Sequence, residues 1–170
     1  MLEVERAAPA AALAELKAYL RIEDSLEDAL LAGWLRAATE TAEVELGQFL
    51  LEREVVEEGR VCGGLLRLTH GPVRLVLELR EMGTGVLPVG RYALDGAARL
   101  RVSAVADGVL LAARYRAGMA DGWNRLPEML RQAVVRLAAH FHGHRDSPEA
   151  PAMPLAVRQL LRAQRARRLR

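Results

Sequence analysis

Cysteine, lysine and aromatic residues are all scarce in this 170-residue chain, and each scarcity excludes something. The single cysteine, Cys62, excludes an internal disulfide, so the fold needs no oxidising compartment. Lysine occurs once, at Lys17, against 23 arginines, a bias that fits a GC-rich genome. Gly63-Gly64 and Gly83-Thr84-Gly85 therefore lack the glycine–lysine–hydroxyl ending that a phosphate-cradling loop needs. Aromatics make up 4 % of the chain, so leucine, valine and alanine must fill the core. No apolar run approaches the roughly 18 residues of a membrane span. The first residues lack the basic, apolar and small-residue succession of an export signal. These absences predict a soluble, cytoplasmically made chain with no membrane partner. Its length points to one domain, or one domain carrying an inserted subdomain. A chain of this size can bury roughly 70 % of its unfolded surface.

Charge is abundant and unevenly placed. Residues 1–60 hold 14 acids and 6 bases, net −8; residues 61–120 hold 4 and 8, net +4; residues 121–170 hold 4 and 10, net +6. Opposite signs at the two ends suit head-to-tail or side-by-side association of copies. Acids that merely decorate solvated helix faces would give the same tally.

Two helices are predicted first, from about Pro9 to Leu20 and from about Leu26 to Phe49. The acidic turn Glu23-Asp24 lies between them, and Ser25 with Asp28 forms a near capping box. Leu30, Trp34, Ala37, Thr41 and Val44 recur with helical period, which predicts Leu30, Trp34 and Val44 for the core. From Glu52 to Gly118 glycines punctuate short apolar runs. Leu75, Leu77 and Leu79 alternate with Val76, Glu78 and Arg80, as in a strand. Asp95-Gly96 and Asp107-Gly108 read as hairpin turns, the second between Leu100–Val105 and Val109–Arg116. Pro127 opens a third helix at its first position, with Leu130, Ala133, Val134, Leu137, Ala138 and Phe141 as its stripe and an end near Gly143. Pro148, Pro151 and Pro154 mark a linker, and a short helix follows from Leu155. The expected fold class is α+β: mainly a helical bundle with a small inserted antiparallel sheet and a C-terminal helical tail. Residues 1–146 form the main domain, with helices at about 9–50 and 127–143 and the β region at about 52–118. Residues 147–170 are linker and tail.

No reaction centre emerges from these residues. His140 and His144 stand one helical turn apart and His142 points elsewhere, but no obvious ligand completes a metal shell. A polar helix end, where imidazolium also complements the C-terminal dipole, is the preferred reading. Cys62 has no activating neighbour, Ser25 reads as a cap, and Ser103 and Ser147 lack an elbow-like setting. The paired acids read as solvated or capping groups. No catalytic residue, metal or cofactor is assigned. The tail carries Arg158, Arg162, Arg165, Arg167, Arg168 and Arg170 with no acid. Such a cluster can bind phosphates in a salt-dependent way, so a small nucleic-acid-binding protein is the alternative reading. The tail has no interleaved aromatic for stacking, and its leucines favour a protein groove.

Several motifs in order resemble one family. Leu16-Lys17-x-x-Leu20-Arg21-Ile22, an acidic turn and a long helix look like the N-terminal module of head–tail connector (adaptor) proteins of tailed bacteriophages and gene transfer agents. Leu68-Thr69-His70-Gly71-Pro72-Val73 resembles that family's strand-to-turn element. Arg114-Tyr115-Arg116-Ala117-Gly118 resembles its strand end, Leu126-Pro127-Glu128-Met129-Leu130-Arg131-Gln132-Ala133 its helix start, and Pro154-Leu155-Ala156-Val157-Arg158-Gln159-Leu160-Leu161 its tail. His140-Phe141-His142-Gly143-His144 and the arginine-rich end depart from the pattern. The resemblance implies a structural, non-enzymatic subunit of a homo-oligomeric ring, dodecameric in the particle. It would sit beneath the portal protein, meet a tail-side stopper or tail terminator, and let DNA pass through its lumen. Assembly would occur in the bacterial cytoplasm, before residence in the neck of a virion or gene transfer agent particle. It also implies that the tail reaches the portal, making Leu155, Arg158, Leu160, Leu161, Arg162, Arg165 and Leu169 the portal-binding candidates. With the sheet region facing neighbouring subunits, Trp123, Arg91 and Arg114 are the intersubunit candidates. Trp123 serves equally as a local lid over the helical core.

Overall fold

The computed structural model describes residues 8–145, 147, 149 and 151–166, with the side chains of residues 165 and 166 excepted. The chain divides into two compact units, one spanning residues 47–121 and the other joining the residues on either side of it. The class is α+β, with helices in one unit and small antiparallel sheets in the other.

In the helical unit, α1 (Ala10–Leu20) buries Ala12 and Leu16. It stops where Arg21 turns left-handed, at φ 59° and ψ 40°. The amides of Arg21 and Ile22 there close on the carbonyls of Ala18 (3.3 Å) and Lys17 (3.0 Å), the pattern that ends many helices. The expected Ser25–Asp28 box does not form. Asp24 Oδ1 accepts the Leu26 amide at 3.0 Å, and Asp28 pairs with Lys17 Nζ at 2.7 Å. The lysine draws the capping carboxylate toward α1, and α2 (Asp28–Leu46) starts two residues later than expected.

The buried side of α2 is Leu31, Leu35, Ala38, Ala42 and Leu46, one residue ahead of the expected stripe. Leu30 and Val44 are exposed, which corrects their assignment to the core, and Trp34 is half-buried. Apolar residues sit side by side at 30–31, 34–35 and 37–38, so periodicity alone offers two faces, and tertiary packing selects one. The third helix, α3 (Glu128–Gly143), buries Leu130, Ala133, Val134, Leu137 and Ala138 as expected, and Val135 as well. Pro127 lies one residue before the helix, its carbonyl accepting the amides of Leu130 (2.9 Å) and Arg131 (3.2 Å). Phe141 is half-buried, its ring 6.1 Å from that of Trp34. The last helix, α4 (Leu155–Ala166), packs against α3 and α2. Met153, Val157 and Leu161 are buried there. The tail segment thus buries apolar surface within its own chain.

The β unit contains two sheets where one was expected. Strands β1 (Arg53–Arg60), β3 (Val73–Glu81), β4 (Gly85–Val86) and β7 (Leu110–Ala117) form an antiparallel sheet in the order β1-β7-β3-β4. Strands β2 (Leu65–Arg67), β5 (Tyr92–Leu94) and β6 (Arg99–Val102) form a second in the order β2-β6-β5. One apolar core serves both, with Leu79, Leu111 and Tyr115 from the first and Leu66, Leu100 and Val102 from the second.

Asp95-Gly96 is a hairpin turn, joining β5 to β6 with Leu94 opposite Leu100. Asp107-Gly108 is not, because β6 and β7 lie in different sheets. The Asp107 carboxylate instead accepts the amides of Gly63 (2.9 Å) and Gly64 (3.2 Å), tying this crossing to the turn between β1 and β2. The Gly63 amide, then that of Gly64, holds the Asp107 carboxyl below the usual carboxylate range. Register shifts in β3 interrupt its alternation, so Leu79 is buried while Leu75 is exposed.

Candidate functional site

A polar cluster of the β unit surrounds Glu57, which β1 directs toward the chain before β3. Glu57 accepts the Thr69 amide at 2.7 Å and lies 3.2 Å from His70 Nδ1. The His70 ring stacks on Phe49 at 4.6 Å, and the Arg53 guanidinium lies over the Phe49 ring at 3.2 Å. Tyr115 is fully buried, and this burial, followed by the Glu57 charge, pushes its hydroxyl above the ordinary phenol range. These contacts fasten the segments around Phe49 and around Thr69-His70 to β1 and to each other. The carboxylate is occupied by neighbours of its own chain, so the cluster acts as a clamp.

The predicted site residues separate into those held inside the chain and those left outward. Trp123 lies in a tight 3-10 turn at 123–125 and is buried. Its indole N–H donates to Glu15 Oε1 at 3.0 Å, and Arg131 Nη1 donates to the same oxygen at 2.9 Å. This is the lid alternative: the tryptophan closes the helical unit across α1 and α3. Arg131 also binds Glu128, and that hydrogen bond, followed by one from Gln132, keeps the Glu128 carboxyl low. Arg91 donates to the carbonyls of Ser103 (2.9 Å) and Ala104 (2.7 Å), bracing the second sheet. Arg114 stands on the exposed face of β7 and pairs with Glu54 at 3.2 Å.

On α4, Leu161 is fully buried, Leu160 and Arg158 are half-buried, and Leu155 and Arg162 face outward. The Arg165 side chain and Leu169 lie outside the described residues. The His140 and His144 rings come to within 4.3 Å of each other, while His142 turns away, so the three do not share a common point. His140 Nε2 lies 2.8 Å from the Pro151 carbonyl, His142 Nε2 lies 3.1 Å from Glu27, and His144 Nδ1 lies 3.0 Å from the His140 carbonyl. Among the described residues no group of three or more histidine, cysteine or acidic side chains is placed to hold a metal ion.

Sequence reasoning missed the exposed apolar side chains. Leu26, Leu30 and Val44 project from α2 and its approach, and Met82, Val86 and Val89 project around the β3–β4 hairpin. The signal was present in α2 as adjacent apolar residues on successive turns, more than one buried face can use.

Residues 10–78 match the family model described as phage gp6-like head–tail connector protein. The resemblance to head–tail connectors is borne out. The connector-like chain is similar over nearly its whole length to a chain in the neck of an empty gene transfer agent particle computed with C6 symmetry. That likeness has a TM-score of 0.76 and 28 % identity, covering 96 % of this chain and 94 % of the other. A chain in the neck of a native gene transfer agent particle computed with C12 symmetry gives a TM-score of 0.74 and 27 % identity, covering 96 % and 93 %. A chain in the virion of a native gene transfer agent particle gives 0.71 and 28 %, covering 94 % and 92 %. No curated protein matches. The connector-like chain has a structural role and is not an enzyme.

Proposed function

We propose that this chain is a ring-forming subunit of the neck of a phage-like particle, lying between the portal protein and a tail-side stopper or tail terminator. The observation that carries this reading is the likeness across 96 % of the chain to a neck component of gene transfer agent particles. The C6 and C12 symmetries of those necks support a closed ring, a dodecamer, with DNA passing through its lumen. The chain would assemble in the bacterial cytoplasm and remain in the particle neck. Residues 147–170 form the portal-directed segment of this helical bundle protein. Leu155, Arg158, Leu160 and Arg162 supply the contact, and Leu161 holds α4 from behind. Arg91 and Arg114 stiffen the sheets that face neighbouring subunits.

Deleting α4 is a poor test, because Val157 and Leu161 belong to the helical core. The combined substitution Leu155→Glu with Arg162→Glu changes exposed side chains alone. It is expected to preserve the circular dichroism spectrum and to weaken portal association by about tenfold or more. Unchanged portal pull-down would remove α4 as the anchor. Salt-sensitive duplex DNA binding that this variant alone loses would favour the nucleic-acid reading.

A further inference from the structure

Leu30, Ala37 and Val44 are seven residues apart, so on α2 they fall in one line that drifts by only about 20° per repeat. Leu30 and Val44 are 42 % and 83 % exposed, and Leu26, on the approach, is 90 % exposed. Single exposed apolar residues are ordinary. A heptad-spaced line on a helix that already packs its own core through Leu31, Leu35, Ala38 and Ala42 is the pattern by which a second helix is received. The charges around it choose the occupant. Beside the stripe the exposed Glu40 stands one turn from both Ala37 and Val44. Two such surfaces facing each other would repel, which disfavours a two-fold contact of the stripe with itself. Residues 122–166 carry seven arginines against three acids. On the outward ridge of α3, Arg136 is exposed between Gln132 and the small residues Ala139 and Gly143, where a leucine or valine can seat closely.

We propose that the Leu30–Ala37–Val44 stripe is covered by a second copy of this chain, through that copy's α3 ridge around Arg136. The two surfaces differ, so the contact runs head to tail, and repetition of such a contact closes a ring. This rests on the ring-subunit reading above and adds a helix contact between neighbours to that of the sheets.

The test places the photo-reactive residue p-benzoylphenylalanine at position 44 and irradiates purified particles. The expected product has twice the chain mass, with position 44 joined to a peptide from residues 128–143. Crosslinking to the portal, to a tail protein, to another part of the chain or to nothing would overturn the assignment. Particles from which the wild-type chain is absent would instead overturn the neck reading itself. Charge reversal gives a second measure. Glu40→Arg and Arg136→Glu should each reduce the assembled fraction severalfold with unchanged melting temperature, and together on one chain should restore it. Additive losses in the double variant would contradict the pairing.

Discussion

Gly118→Ala is expected to be the most damaging small substitution in the β unit, costing roughly 3–5 kcal/mol of stability. A Cβ at this position would lie 2.5 Å from both Cα and N of Glu52 and 2.6 Å from the Leu51 carbonyl carbon. These are all backbone atoms, which cannot rotate out of the way. The glycine also sits at φ +155°, a conformation that L side chains rarely adopt. Its amide donates to the Pro72 carbonyl at 2.9 Å, and the Glu52 amide donates to that of Ala120 at 2.7 Å. The close approach therefore joins the end of β7 to the segment entering β1. Gly90→Ala is the control, since a Cβ there meets nothing within 4 Å. Urea unfolding should show a large fall in midpoint for Gly118→Ala and little change for Gly90→Ala. Equal midpoints would mean that the close approach is not maintained in solution.

Trp123→Ala is the second large effect, expected to cost about 3–5 kcal/mol through loss of a buried ring and the space it leaves. Trp123→Phe keeps most of the apolar volume and loses the hydrogen bond to Glu15, so about 1 kcal/mol is expected. In that variant Glu15 retains Arg131 as a partner. Thermal and denaturant melts of the isolated chain separate the two roles considered for this tryptophan. A lid lowers the stability of the chain by itself. A Trp123→Ala protein as stable as wild type, but absent from particles, would make the residue an intersubunit anchor.

How legible each element was depended on whether its local signals competed. The third helix could be read closely because one apolar stripe, a preceding proline and a terminal glycine agreed. The existence of α2 was equally clear, but its facing was not. Adjacent pairs such as Leu30-Leu31 present two equivalent stripes, and packing against the other helices of the unit selects Leu31. The Ser25–Asp28 cap failed because Lys17, eleven residues away, competes for the same carboxylate. The two sheets were not legible, since Asp-Gly announces a turn without saying which strands pair across it. Asp107 spends its carboxylate on Gly63 and Gly64, a tertiary tie that no local pattern encodes.

The candidate site divides along the same line. Motif order pointed to the connector family, because several weak motifs in one order weigh more than any one of them. Individual contact residues were harder to assign. Leu161 and Trp123 are large and apolar, which serves a chain's own core and a partner's groove equally. In the tertiary structure both are buried among residues of their own chain. It leaves outward Leu155, Arg162 and the unexpected stripe of α2.

Imaging of particles made without this chain tests the central claim most directly. Loss of a structural neck subunit predicts filled or leaking heads with no tails attached, restored by supplying the wild-type chain. Normal numbers of tailed particles in its absence would contradict the account.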